Sequence, residues 1–167
     1  MRRFGRLLAL GFVGSMLSVL SLAVPAAASD GQAATITADG VIVAPDGAEV
    51  GRITTHKRGD GTKAPAELGN PSEWGVVAMK MDDSSGTVRP MSEACVNASG
   101  GKWCYGWYGV SNGKHCYSNY YHYTKYHDSS VKIGKGSLKA AAKPNQTSQA
   151  SLEAGLAYTC YTYYGVA

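Results

Sequence analysis

Residues 103–124 read Trp-Cys-Tyr-Gly-Trp-Tyr-Gly-Val-Ser-Asn-Gly-Lys-His-Cys-Tyr-Ser-Asn-Tyr-Tyr-His-Tyr-Thr, and their texture decides the fold. Trp103 to Tyr108 is aromatic apart from Cys104 and Gly106, and Cys116 to Thr124 is a second aromatic run. Bulky rings fit the pleated surface of a strand better than the turn of a helix. Between the runs, Val110-Ser111-Asn112-Gly113 carries Asn-Gly, a dipeptide suited to positive φ at two successive turn positions. The segment therefore predicts an antiparallel hairpin.

Further strands flank it. Ser129 to Ile133 reads as a third strand stopped by Gly134 and Gly136, and Ala157 to Tyr164 as the last. Leu138 to Ala142 leaves helix and strand both open, and Asn145 to Glu153 is polar enough to read as an exposed connection. The class is all-β: a small antiparallel sandwich of short strands. Because side chains alternate along a strand, Tyr117, Tyr121 and Tyr123 fall on one face and Tyr120 on the other. Some phenols must build the core, since Leu, Ile and Phe are scarce here. The rest should be exposed among Lys102, Lys114, Lys125, Lys132 and Lys135, a surface suited to sugars, nucleobases or phosphate-bearing groups.

Composition draws a boundary. All eleven tyrosines lie between Tyr105 and Tyr164, and Trp74 is the one aromatic of residues 29–97. Residues 29–97 carry six Lys/Arg against ten Asp/Glu, a net of −4; residues 98–167 carry seven Lys against Asp128 and Glu153, a net of +5. Cys95, Cys104, Cys116 and Cys160 fall beyond the same boundary. An even count in an exported chain reads as two disulfides, with three possible pairings. Each closed loop would add about 2–4 kcal/mol to a domain too small to be stable on its core alone. No pair has C-x-x-C spacing, so neither a metal nor any other cofactor is expected.

The N-terminus carries its own signal. Arg2, Arg3 and Arg6 precede an apolar stretch from Leu7 to Val24, Pro25 breaks it, and Ala26-Ala27-Ala28 supplies small residues for cleavage. A signal peptide over 1–28, cut between Ala28 and Ser29, is expected, so the protein is secreted. Residues 29–94 read as a propeptide-like or loosely folded extension, and 95–167 as the β domain. Within the extension, Thr35–Thr37 and Val41–Val43 around Asp39-Gly40 could pair, as could Trp74 to Met81 with a neighbour. Gly59–Lys63 and Asp82–Gly86 read as loops. If it stays attached, its negative charge could shield the basic domain.

Enzymes are disfavoured. His115, His122 and His127 with Asp128 do not share one strand face, no H-E-x-x-H or nucleophile-elbow motif occurs, and the domain has two carboxylates. Nucleic acid is not an expected partner, given export and a modest charge. Trp103, Tyr105, Trp107, Tyr120, His122 and Lys125 are the candidate recognition residues, although a Trp opening a small sandwich commonly anchors its core.

Gly100-Gly101-Lys102-Trp103, Tyr105-Gly106, Tyr117-Ser118-Asn119-Tyr120-Tyr121-His122, then Lys125, His127 and Ser130-Val131 resemble the lactococcin 972 bacteriocin family. The closing run from Ala157 to Tyr164 resembles its aromatic C-terminal strand, so the resemblance covers about residues 99–167. It implies a secreted antibacterial β-sandwich that binds lipid II, the membrane-linked cell-wall precursor. Such a protein blocks septum synthesis at the outer face of the target membrane without spanning it or forming pores. Immunity and transport proteins would then guard the producer. The four cysteines and the long extension depart from the family pattern. The competing reading is a secreted, non-toxic wall-glycan-binding or developmental surface protein.

Overall fold

The computed structural model describes residues 35–43, 47–79 and 94–167. The expected leader, its Ala28–Ser29 cleavage point and the Asp82–Gly86 loop lie outside these residues. Eleven strands are present among the described residues: β1 (Thr35–Ile36), β2 (Val41–Val43), β3 (Glu49–Lys57), β4 (Glu73–Met79), β5 (Ala94–Ala98), β6 (Gly101–Val110), β7 (Gly113–His122), β8 (His127–Ile133), β9 (Gly136–Ala142), β10 (Gln146–Ala154) and β11 (Cys160–Val166). They form two antiparallel sheets, ordered β1-β2-β3-β4-β11-β8-β9 and β10-β7-β6-β5. The all-β sandwich expected from the aromatic runs is the fold.

The β6–β7 hairpin forms where the aromatic runs predict it. Its loop, however, is Ser111-Asn112, with Val110 opposite Gly113. Neither loop residue has positive φ, and Gly113, at 159°, is all but extended, so Asn-Gly is not the turn pair here. Leu138 to Ala142 resolves as strand β9. Asn145 to Glu153, read as an exposed connection, is instead mostly strand β10, paired to β7 from Gln146↔His122 to Ala154↔Lys114. Its signal is muted because the inward positions are small: Ser148 and Ala150 are buried while their neighbours are exposed.

The core between the sheets is aromatic. Trp103, Tyr105, Trp107 and Tyr120 from the four-stranded sheet meet Val77, Met79, Val131, Ile133, Tyr164 and Val166 from the other. Trp103 lies 4.3 Å from the Tyr105 ring and 4.9 Å from the Tyr164 ring, centre to centre. Gly75 makes room for Tyr164, whose ring occupies the space a side chain there would need. Two of the core phenols find partners at the core margin: Tyr120 donates to the Ala98 carbonyl at 2.9 Å, and the Tyr164 hydroxyl pairs with Ser99 Oγ at 3.0 Å. The cysteines form Cys95–Cys104 within one sheet and Cys116–Cys160 between the sheets.

The acidic half of the chain contributes strands to this sandwich. β4 pairs with β11 from Glu73↔Val166 to Met79↔Cys160, and β3 pairs with β4 in turn. The Arg58–Ser72 connection folds over the outside of that sheet, where Leu68, Trp74 and Tyr163 form a second small core. Ser72 donates from both N and Oγ to the Val166 carbonyl, and Lys132 bonds Glu67 at 2.8 Å. These contacts fix the Arg58–Ser72 connection against the outside of the seven-stranded sheet.

Candidate functional site

Register carries every second residue of β6, β7 and β10 to the outer face of the four-stranded sheet. Rows of cross-strand neighbours result: Lys102, Tyr121 and Thr147; then Cys104, Asn119 and Gln149; then Gly106, Tyr117 and Ser151; then Tyr108, His115 and Glu153. The face is thus built of phenols, side-chain amides and hydroxyls, with Lys102 at one end. Tyr117 lies flat across β6, because at Gly106 even a Cβ would sit 2.7 Å from its hydroxyl. Tyr108 stacks on His115 at 4.7 Å between centres, and Tyr121 meets Tyr123 edge-on at 4.9 Å. A shallow depression of about 390 Å³ opens here, lined by Tyr108, His115, Tyr117, Asn119, Gln149, Ala150 and Ser151.

Flat rings beside paired amides suit a carbohydrate: rings cover the apolar faces of a sugar, and amides exchange hydrogen bonds with its hydroxyl and acetamido groups. The lysines suit an anion. Lys102, Lys125 and Lys143 are exposed at the end of the sandwich where β6 starts and β7 and β9 finish. Lys132 and Lys139 are instead engaged, by Glu67 at 2.8 Å and by Asp128 at 3.0 Å. Lys114 is buried with its ammonium 5.2 Å above the Trp107 ring, so it belongs to the interior.

A larger cleft of about 840 Å³ lies between the edges of the two sheets, near Ile36, Ile53, Val96 and Tyr164. Its rim carries Asp39, Asp60 and Glu73, the wrong sign for an anionic target. Each carboxylate already has a partner: Arg52 at 3.6 Å, His56 at 3.1 Å and Lys57 at 3.7 Å respectively. Hydrogen bonding from Thr37 to Asp39, and from the Thr62 amide to Asp60, holds both carboxyls below their ordinary range. The candidate site is therefore the outer face.

Of the six residues singled out from sequence, five lie inside. Trp103, Tyr105 and Tyr120 are fully enclosed, and Trp107 and His122 nearly so. They alternate with the outer-face residues and point the opposite way, so they pack the core and offer no surface for a target. Lys125 alone is exposed. His122 is a bracket: its Nδ1 accepts from the Thr124 and Lys125 amides at 3.1 Å, and its Nε2 faces the Ser99 carbonyl at 3.0 Å. The residues missed are Tyr108, His115, Asn119, Gln149 and Ser151. His115 and Asn119 share strand parity with Tyr117 and Tyr121 on β7, whereas Tyr108 sits on β6 and Gln149 and Ser151 on β10, which the sequence reads as a connection. Among the described residues, no group of three or more His, Cys, Asp or Glu could hold a metal ion.

A family model described as Bacteriocin (Lactococcin_972) matches residues 99–164, from the β5–β6 turn into β11. This is the family that the sequence resembles, and the match supports an antibacterial bacteriocin role. No curated protein and no solved structure matches the chain.

Proposed function

We propose that this is a secreted antibacterial protein that captures lipid II on the outer face of its four-stranded sheet and so halts septum synthesis. The observation that carries the reading is the run of rows from Tyr108–His115–Glu153 to Lys102–Tyr121–Thr147, which leads from a phenol-and-amide surface to a cationic end. Lipid II has the same polarity: two amino sugars, then a pyrophosphate, then the lipid. Stacking on Tyr117 and Tyr121 and hydrogen bonding by Asn119 and Gln149 would hold the sugars. Lys102 and Lys125 would meet the pyrophosphate as charge-assisted donors. Capture of the precursor needs neither catalysis nor a pore.

The test applies the oxidised exported protein to dividing Gram-positive cells with and without added lipid II. Growth arrest that lipid II relieves is expected, as is loss of arrest in an Asn119→Ala/Gln149→Ala variant of unchanged melting temperature. Absence of arrest, or arrest indifferent to lipid II, would overturn the reading. A second reading, a non-toxic wall-glycan binder, draws on the same amide and phenol rows without the lysines. It gains if the protein sediments with purified cell wall, leaves growth untouched, and retains wall binding after Lys102→Glu.

A further inference from the structure

The loop between β7 and β8 carries the most exposed aromatic rings among the described residues: Tyr126 at 59% and Tyr123 at 57%, with exposed Lys125 between them. Exposed rings normally accompany a mobile or solvated backbone, but this backbone is held from within. His122 Nδ1 takes the amides of Thr124 and Lys125, the Lys125 carbonyl meets His127 Nδ1 at 2.9 Å, and the Tyr126 carbonyl accepts from the Ala167 amide at 3.0 Å. The opposite side of the His127 ring is fixed by the Gln146 carbonyl at 3.0 Å. Four backbone polar groups of the loop are therefore satisfied by protein rather than by water.

That accounting matters for one kind of surface. A loop entering the lipid headgroup region gives up hydration, and unpaired amides make entry costly. Tyrosine suits that region, its ring facing the acyl boundary and its hydroxyl the water. Charge agrees, since exposed Lys102 and Lys143 share this end with Lys125. The carboxylates closest to it along the strands, Asp128 and Glu73, are turned to Lys139 and Lys57 at 3.0 and 3.7 Å.

We infer that this end of the sandwich is a docking surface for an anionic phospholipid bilayer, with Tyr123 and Tyr126 seated in the headgroup layer and Lys102, Lys125 and Lys143 facing anionic lipid. The inference extends the lipid II reading by orienting the molecule: the cationic end of the sugar-binding face lies against the membrane, level with the pyrophosphate. Docking itself needs no lipid II, and this separates the two claims.

The experiment uses the full exported protein and vesicles free of lipid II, of phosphatidylcholine alone or with roughly 30 mol % phosphatidylglycerol. Co-sedimentation should be at least about fivefold stronger on the anionic vesicles and should vanish in about 0.5 M salt. A Tyr123→Ser/Tyr126→Ser variant should lose about fivefold or more of that binding. Its melting temperature should stay as in the parent. Equal binding to both vesicles, none to either, or undiminished binding by the double variant would overturn docking. Wild-type protein that binds anionic vesicles but not a water-soluble lipid II analogue would leave docking standing and remove the lipid II reading.

Discussion

The Trp103 indole donates from Nε1 to Ser118 Oγ at 2.9 Å, and that hydroxyl donates onward to the Tyr163 carbonyl at 2.8 Å. A buried serine thus links β6 to β11 across the sandwich and satisfies the only polar atom of a fully enclosed Trp. Ser118→Ala would leave an indole N–H and a main-chain carbonyl without this partner in a dry core, at a cost of about 1–3 kcal/mol. Trp103→Ala should cost about 3–5 kcal/mol through the cavity it opens. Denaturant titration of both variants checks this. A Trp103→Ala protein of parental stability that has lost its target would restore Trp103 as a contact residue.

Tyr105 is the opposite case. Its ring is fully buried, yet its hydroxyl has no hydrogen-bond partner among the described residues, and burial pushes its pKa well above that of an ordinary phenol. Removing a buried hydroxyl that makes no bond relieves a desolvation penalty while keeping the ring in place. Tyr105→Phe should therefore be neutral or stabilise by up to about 1 kcal/mol, and should leave binding intact. A clear drop in melting temperature would show that the hydroxyl has work in the core.

These two residues show what the sequence could disclose. Aromatic runs and the even cysteine count announced a cystine-linked β-sandwich, because each depends on local composition. Which face of a strand is buried does not. Trp103, Tyr105 and Trp107 alternate with Lys102, Cys104 and Tyr108, and only the position of the second sheet decides which set is inside. β10 was hidden for a related reason: its inward residues, Ser148 and Ala150, are small because large rings of β6 and β7 already fill that layer. The pairing of β4 with β11 joins residues far apart in sequence and leaves no local trace.

That pairing bears on the extension. Its acidic strands add to the seven-stranded sheet, whereas the candidate binding face belongs to the other, so their charge is ill placed to shield it. They do cover β11 and supply Val77, Met79 and Ile42 to the core. A 95–167 fragment should then lose most of its stability and expose apolar surface. Trp74→Ala, which empties the pocket shared with Leu68 and Tyr163, should cost about 3 kcal/mol or more in the whole chain. Circular dichroism with a dye for apolar surface checks the fragment. Cooperative unfolding of the fragment at the parental midpoint would mean that the extension is dispensable.

The two disulfides should differ in reactivity and in worth. Cys95 is exposed and bonds Cys104 directly across adjacent strands, whereas Cys116 and Cys160 are fully buried between the sheets. Mild reductant should open the first bridge while the protein stays folded, and reach the second only on unfolding. Loop closure ranks them likewise: separations of 9 and 44 residues correspond to about 2.6 and about 4.0 kcal/mol. Timed alkylation with peptide mapping reads the order, and simultaneous labelling of all four cysteines would contradict it.

Stability at high pH should follow from the enclosed phenols. Burial, the leading cause in each, raises the pKa values of Tyr105, Tyr120, Tyr163 and Tyr164. In the unfolded chain the same phenols ionise around pH ~10. Between those limits the unfolded state has released protons that the folded state still holds, so raising pH favours unfolding. The contribution is fully present below about pH 10 and is lost as pH climbs toward the folded values. The midpoint of thermal unfolding should therefore hold steady with respect to these groups through neutral pH and fall steeply in alkali. Tyrosinate absorbance should rise in two stages, the later coinciding with loss of the near-ultraviolet circular dichroism of the buried rings. A single smooth rise in absorbance with that signal intact would mean that the four phenols are open to solvent.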